Sequence, residues 1–273
     1  MKLKMILLAV LIFSALAIPV QAQESDAENV DFAYGNISFS YDASIAAGVE
    51  ATNVEEVPIQ EDMPYWAANP AFTEFFFVDY AGGKDFFHEP RIQVYPTADF
   101  GSYVAGDQST EYALVGQLEQ LTALVDNQPD LEEYTALPLD ENVKYLPFVP
   151  MFNAAQVFRA QPEYLEFQSG TGLRYLTYFS QAVNPITDTE IFYTFQGLTA
   201  DGAFYISAIF PVTTGIFPEE IDFQNYDFAA FEADYENYMK ESFTALHTQS
   251  GDAFTPTLAQ LDTLMQSLTI ISE

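Results

Sequence analysis

QVFRAQPEYLEFQSGTGLRYLTYFS (Gln156–Ser180) and EIFYTFQGLTADGAFYISAIF (Glu190–Phe210) are two long runs rich in aromatic and β-branched residues, each interrupted once. The interruptions are Ser169-Gly170-Thr171-Gly172 and Thr199-Ala200-Asp201-Gly202, and both place glycine where a tight turn needs positive φ. Each run therefore reads as a β-hairpin. Strand side chains alternate between faces, so Ile191, Tyr193 and Phe195 share one face while Phe192 takes the other. A sheet with large apolar groups on both faces needs cover on both. That requirement points to an α+β domain, an antiparallel sheet packed with helices on both faces.

Moving outward, the flanks supply candidates for the rest. Asp227 is placed to cap a helix carrying Phe228, Phe231, Tyr235, Tyr238 and Leu246, which His247 ends. Thr255-Pro256 reads as a cap followed by proline at the first helical position, ahead of the stripe Leu258, Leu261, Leu264, Met265 and Leu268. Upstream, Leu114, Leu118, Leu121 and Val125 form a helical stripe, which predicts a helix near 109–126. Phe32, Tyr34, Ile37, Phe39 and Tyr41 alternate around Gly35-Asn36, a strand or hairpin. Strands are also expected at 73–80 and 91–95, all joining the central sheet. The acidic stretch Glu50–Met63 reads as a loop or edge, and Asp130–Pro150 as a long loop.

The chain carries 40 Asp and Glu against eight Lys and Arg, a formal charge of −32. Nucleic acid is excluded as a partner class because phosphate contacts need cations, and an anionic membrane surface is disfavoured for the same reason. The acids are interleaved with 25 Phe and 17 Tyr, so the charge does not mark a disordered tail. There is no cysteine, so packing alone must hold the fold. The first residues read as a secretory signal peptide: Lys2 and Lys4, an uncharged apolar run from Met5 to Ile18, then Val20-Gln21-Ala22 as the cleavage site. This divides the chain into a signal at 1–22, a flexible acidic leader at 23–30 and one domain at 31–273. It implies a secreted or periplasmic protein, and with no cysteine after the apolar run there is no lipid anchor.

SGTGLRYLTYFSQAVNP (Ser169–Pro185), EIFYTFQGLTADGAFYISAIFP (Glu190–Pro211) and LPFVPMFNAAQVF (Leu146–Phe158) resemble an uncharacterised family of exported bacterial proteins. That resemblance implies export and brings no activity with it. The opening ISFSYDASIAAGVEATNVEEVP and the closing LAQLDTLMQSLTI are similar in arrangement to the PsbP/Mog1-type fold, whose members act mainly in binding and assembly.

Catalytic chemistry is thinly represented. His88 lies in Phe86-Phe87-His88-Glu89-Pro90, which lacks the second histidine of a zinc-protease helix. Ser169 sits in a hairpin turn rather than on a strand-to-helix elbow. Glu55-Glu56, Glu61-Asp62, Glu132-Glu133, Asp140-Glu141 and Glu219-Glu220 are carboxylate pairs of the kind that hydrolyse glycosides, yet adjacent acids are common in so acidic a chain. Asp126–Glu133 approaches a calcium loop but has Leu131 where the central glycine belongs. No catalytic, cofactor or metal residue is assigned. The only residues singled out for ligand or partner contact are Tyr65 and Trp66, which suit stacking if exposed. The expected function is an exported, non-enzymatic binding or assembly module for a protein or small molecule. The alternatives are a secreted glycoside-type hydrolase and a cation-stabilised acidic surface protein.

Overall fold

The computed structural model describes residues 28–61, 63–104, 113–135, 137 and 144–271. The expected signal peptide, most of the acidic leader, Asp62, the Asp140-Glu141 pair and the side chain of Tyr65 lie outside them. The fold is mixed α+β with two antiparallel sheets. Ten strands are described: β1 (Asn29–Tyr34), β2 (Ile37–Asp42), β3 (Gly48–Val54), β4 (Phe72–Val78), β5 (Arg91–Pro96), β6 (Ala155–Phe167), β7 (Gly170–Ser180), β8 (Phe192–Thr199), β9 (Phe204–Pro211) and β10 (Thr269–Ile270). Three α-helices accompany them: α1 (Leu114–Asn127), α2 (Phe228–Thr248) and α3 (Leu258–Ser267). The large sheet runs β3-β4-β5-β9-β8-β7-β6 and the small one β1-β2-β10.

Both long hairpins form. In the first, Phe167 pairs with Gly170, so the turn is Gln168-Ser169 and both glycines belong to β7. The expectation that they supply positive φ is therefore corrected: a Cβ on Gly172 would lie 2.5 Å from Gln196 O and 2.6 Å from Phe195 Cζ. Glycine is needed there for close approach, with the Phe195 ring over it. In the second hairpin Gly202 does adopt φ +71°, as the turn chemistry requires.

Residues of the large sheet alternate between two apolar clusters. Ile191, Tyr193, Phe195, Ile206 and Phe210 join Phe75 and Phe77 in the first, with Phe39 and Tyr41 of β2, Met239 and Leu246 of α2, and the whole α3 stripe. Phe192, Leu198, Tyr205 and Ile209 join Leu173 and Tyr175 in the second, with Leu114, Leu121 and Leu124 of α1. The β1–β2 hairpin does not extend the large sheet. It pairs with β10 and packs Phe39 against Phe75 (5.4 Å between ring centroids) and Phe77 (5.9 Å). Glu50–Val54, the start of the stretch read as loop or edge, is the edge strand β3.

Helix ends follow local chemistry. Asp227 accepts from Ala230 N at 3.0 Å and caps α2. The cap of α3 is Thr257, not Thr255. Thr257 and Gln260 form a reciprocal capping box, so the helix starts after Pro256 rather than with it. At the C-terminus of α2, Gln161 of a β6 irregularity (φ +50°) donates from its amide to Leu246 O at 2.7 Å and Gln249 O at 2.9 Å. No helix among the described residues is long and apolar enough to cross a membrane.

Candidate ligand cleft

Leu146-Pro147-Phe148-Val149-Pro150 crosses the second cluster as an extended strap with no regular hydrogen-bond ladder, and Leu146–Val149 is buried. Buried backbone without a ladder must find side-chain partners. Here the sheet and α1 provide them. Phe148 N donates to Gln117 Oε1 (2.9 Å) and Val149 N to Gln196 Oε1 (3.0 Å). Val149 O accepts from Ser207 Oγ, and Pro147 O accepts from Tyr175 Oη at 2.8 Å. Gln196 also accepts from Tyr205 Oη at 2.8 Å. Burial pushes the hydroxyls of Tyr95, Tyr175 and Tyr205 far above their ordinary pKa, so all three remain donors.

The strap forms one wall of a cleft of ≈560 Å³ at the start of β6. That is the size range of small-molecule sites. Phe148, Phe152 and Phe179 form an aromatic end, with ring centroids 4.6–5.1 Å apart. Tyr134, Tyr145, Gln156 and Lys144 form a polar end. Gln156 stands directly across the ladder from Phe179. Behind this end lies Arg159, fully buried: Nε donates to Tyr134 O (2.8 Å), Nη1 donates to Gln156 O (3.3 Å), and the guanidinium sits 5.1 Å from the Tyr145 ring centroid. Burial pulls its pKa down to about 10, so it is charged at neutral pH. Lys144 pairs with Glu133, and that bond raises its pKa. The cleft lining contains no Asp or Glu among the described residues.

The residues singled out from sequence fall elsewhere. Trp66 lies on a short 3-10 turn at 65–67, is 40% exposed, and is not part of the cleft wall. Among the described residues neither histidine meets a serine or threonine hydroxyl. His247 Nδ1 accepts from Gln161 N (3.1 Å) and Nε2 faces Glu132 Oε1 (3.4 Å). Beyond ending α2, it therefore ties the helix to the irregularity in β6. Glu133 and Glu219 pair with lysines on the surface. Asp130 accepts from Glu132 N in a short turn, and the described residues hold no group of three or more His, Asp or Glu placed to bind a metal.

His88 stacks against this region, parallel to Phe152 at 5.3 Å and edge-on to Phe192 at 4.6 Å, with Nε2 buried and no hydrogen-bond partner for it among the described residues. Burial, and secondarily the charge of Arg91, lowers its pKa from 6.5 to about 4. The folded state thus holds His88 neutral where the unfolded chain takes up a proton. Stability from this group is intact above pH 6.5 and is lost as pH falls towards 4, by about 3 kcal/mol in total. His88→Phe keeps the stacked ring and cannot titrate. Urea midpoints measured from pH 7 to pH 4 are expected to fall less steeply for this variant, and identical slopes would show that His88 is not held neutral.

Sequence reasoning missed the cleft because its parts come from separated segments. A local signal existed: Thr194, Gln196 and Ser207 are polar residues set inside strands that carry large apolar groups on both faces. Comparison with protein-family models, with curated proteins and with solved structures returns no match.

Proposed function

We propose that this protein is an exported, non-enzymatic binding module whose ligand is a small molecule held in the cleft beside the 146–150 strap. The observation that carries the reading is a preformed pocket of ≈560 Å³ with an aromatic end and a few fixed polar groups, walled by a strap that side chains of the sheet and α1 hold in place. Rigid walls of this kind reduce the ordering a ligand must impose. A glycoside hydrolase needs two carboxyls across one cleft, roughly 5–9.5 Å apart, and the described residues of this lining offer none.

The same reading takes in the finer fold and location. The grouping of α2 and α3 with one apolar cluster and of α1 with the other supports a PsbP/Mog1-like sheet with helices on both faces. The basic start, apolar run and Ala22 junction support export by a cleaved signal peptide.

Ala154 lines the cleft and is only partly buried, so Ala154→Trp fills the space without disturbing the core. Ligand-observed NMR against a set of small aromatic fragments should give binders for the native protein that disappear with Ala154→Trp. Absence of binders, or binders indifferent to the substitution, would overturn the reading.

A further inference from the structure

The cleft's polar groups specify a ligand class, an inference that rests on the binding reading above. Gln156 is only 6% exposed, and the orientation of its amide is fixed by its neighbour. Tyr175 Oη spends its single proton on Pro147 O (2.8 Å), so the Gln156 atom 3.1 Å from that oxygen must be the donor Nε2. Gln156 Oε1 then faces away, buried and with no hydrogen-bond partner among the described residues. Such an acceptor is favourable only when a donor is brought to it. A ligand O–H or N–H in the cleft would meet that need.

Charge gives the second feature. Among the described residues Lys144 is the only charged one in the lining, in a chain where acids outnumber bases 40 to eight. It is half exposed, while Gln156 is buried, which places the cation at the mouth and the acceptor in the depth. Lys144 covers one face of Tyr134 and Arg159 one face of Tyr145, so the apolar contact for a ligand ring falls to Phe148, Phe152 and Phe179. Lys144's partner Glu133 is 58% exposed and can release the ammonium to a ligand at little loss.

We propose that the cleft binds a small aromatic carboxylate bearing a hydroxyl or N–H at its far end: the ring lies on the phenylalanines, the carboxylate meets Lys144, and the donor meets Gln156 Oε1. The probe is para-hydroxyphenylacetate, compared by calorimetry with phenylacetate (no donor), tyrosol (no charge) and tyramine (opposite charge). Each loss is expected to weaken binding by about tenfold, and tyramine by more. Gln156→Met should erase the difference between the two acids, and Lys144→Met the difference between para-hydroxyphenylacetate and tyrosol. Glu133→Gln removes a competitor for Lys144 and should tighten binding of the acid by about threefold, a gain that misfolding cannot mimic. Tyrosol or tyramine binding as tightly as the acid, equal binding of the two acids, or unchanged affinity in Glu133→Gln would overturn the ligand class and leave the binding reading standing. Failure of all four compounds would likewise overturn the ligand class, whereas a fragment set without binders, or binding unaffected by Ala154→Trp, would remove the binding reading itself.

Discussion

Leu264→Asp is expected to destabilise the protein by about 4 kcal/mol or more at pH 7. Leu264 is fully buried on α3, inside the first apolar cluster, where the helix meets β2, β6 and β8. The helix is fixed in place on both sides. Ser267 Oγ accepts from Ser40 N (2.8 Å), Asp262 Oδ1 accepts from Tyr193 Oη (2.9 Å), and Gln260 Nε2 donates to Asp42 Oδ2 (3.0 Å). It therefore cannot rotate to release a carboxylate to water without breaking these bonds. Leu264→Ala is the control, expected at about 2–5 kcal/mol for the cavity alone. The excess in Leu264→Asp is the charge, and it should shrink on acidification, because the buried carboxyl escapes the penalty by protonating. Chemical denaturation followed by circular dichroism reads both. An Asp variant within about 1 kcal/mol of the native protein would mean that α3 does not close the core.

How much of this architecture the sequence discloses depends on whether the determinant is local. The hairpins are legible because alternation and turn residues sit within a few positions of one another, and the α3 stripe because its period is unbroken over ten residues. The Thr257 cap was legible too: Thr-x-x-Gln at 257–260 is a capping-box pattern, overshadowed by the proline at 256. The assignment of β1–β2 to its own sheet was not, because it depends on Ile37 and Ser38 meeting Ile270 and Thr269 at the far end of the chain. From sequence the strap reads as loop for the same reason. Its order comes from Gln117, Tyr175, Gln196 and Ser207, which lie on other elements, and no period within 146–150 reports them. Tyr65 and Trp66 drew attention by composition, whereas the cleft is assembled from α1, the strap, β6 and β7.

Gln196 is where fold and site meet, and Gln196→Leu is the second large effect expected. Leucine preserves the volume and removes the amide. Two buried donors then lose their acceptor: Tyr205 Oη, 2.8 Å from Oε1, and Val149 N, 3.0 Å from it. Each stranded donor costs about 1–3 kcal/mol, so the variant should lose about 2–6 kcal/mol. Ser207 Oγ still reaches Val149 O, so the strap stays on the sheet, with Val149 held through its carbonyl alone. Phe148, the residue before Val149, should become less fixed. Amide exchange at Val149 is expected to quicken, and fragment binding in the cleft to weaken even where the protein remains folded. The asymmetry between a missing bond and a stranded donor supplies a sharper check. Tyr205→Phe alone removes a satisfied hydroxyl and should destabilise, but on the Gln196→Leu background it removes an unsatisfied one and should restore about 1–2 kcal/mol. Urea denaturation of the two single variants and the double variant measures the coupling. If the two substitutions simply add, Tyr205 does not depend on Gln196, and the network that shapes the cleft wall is not the one described.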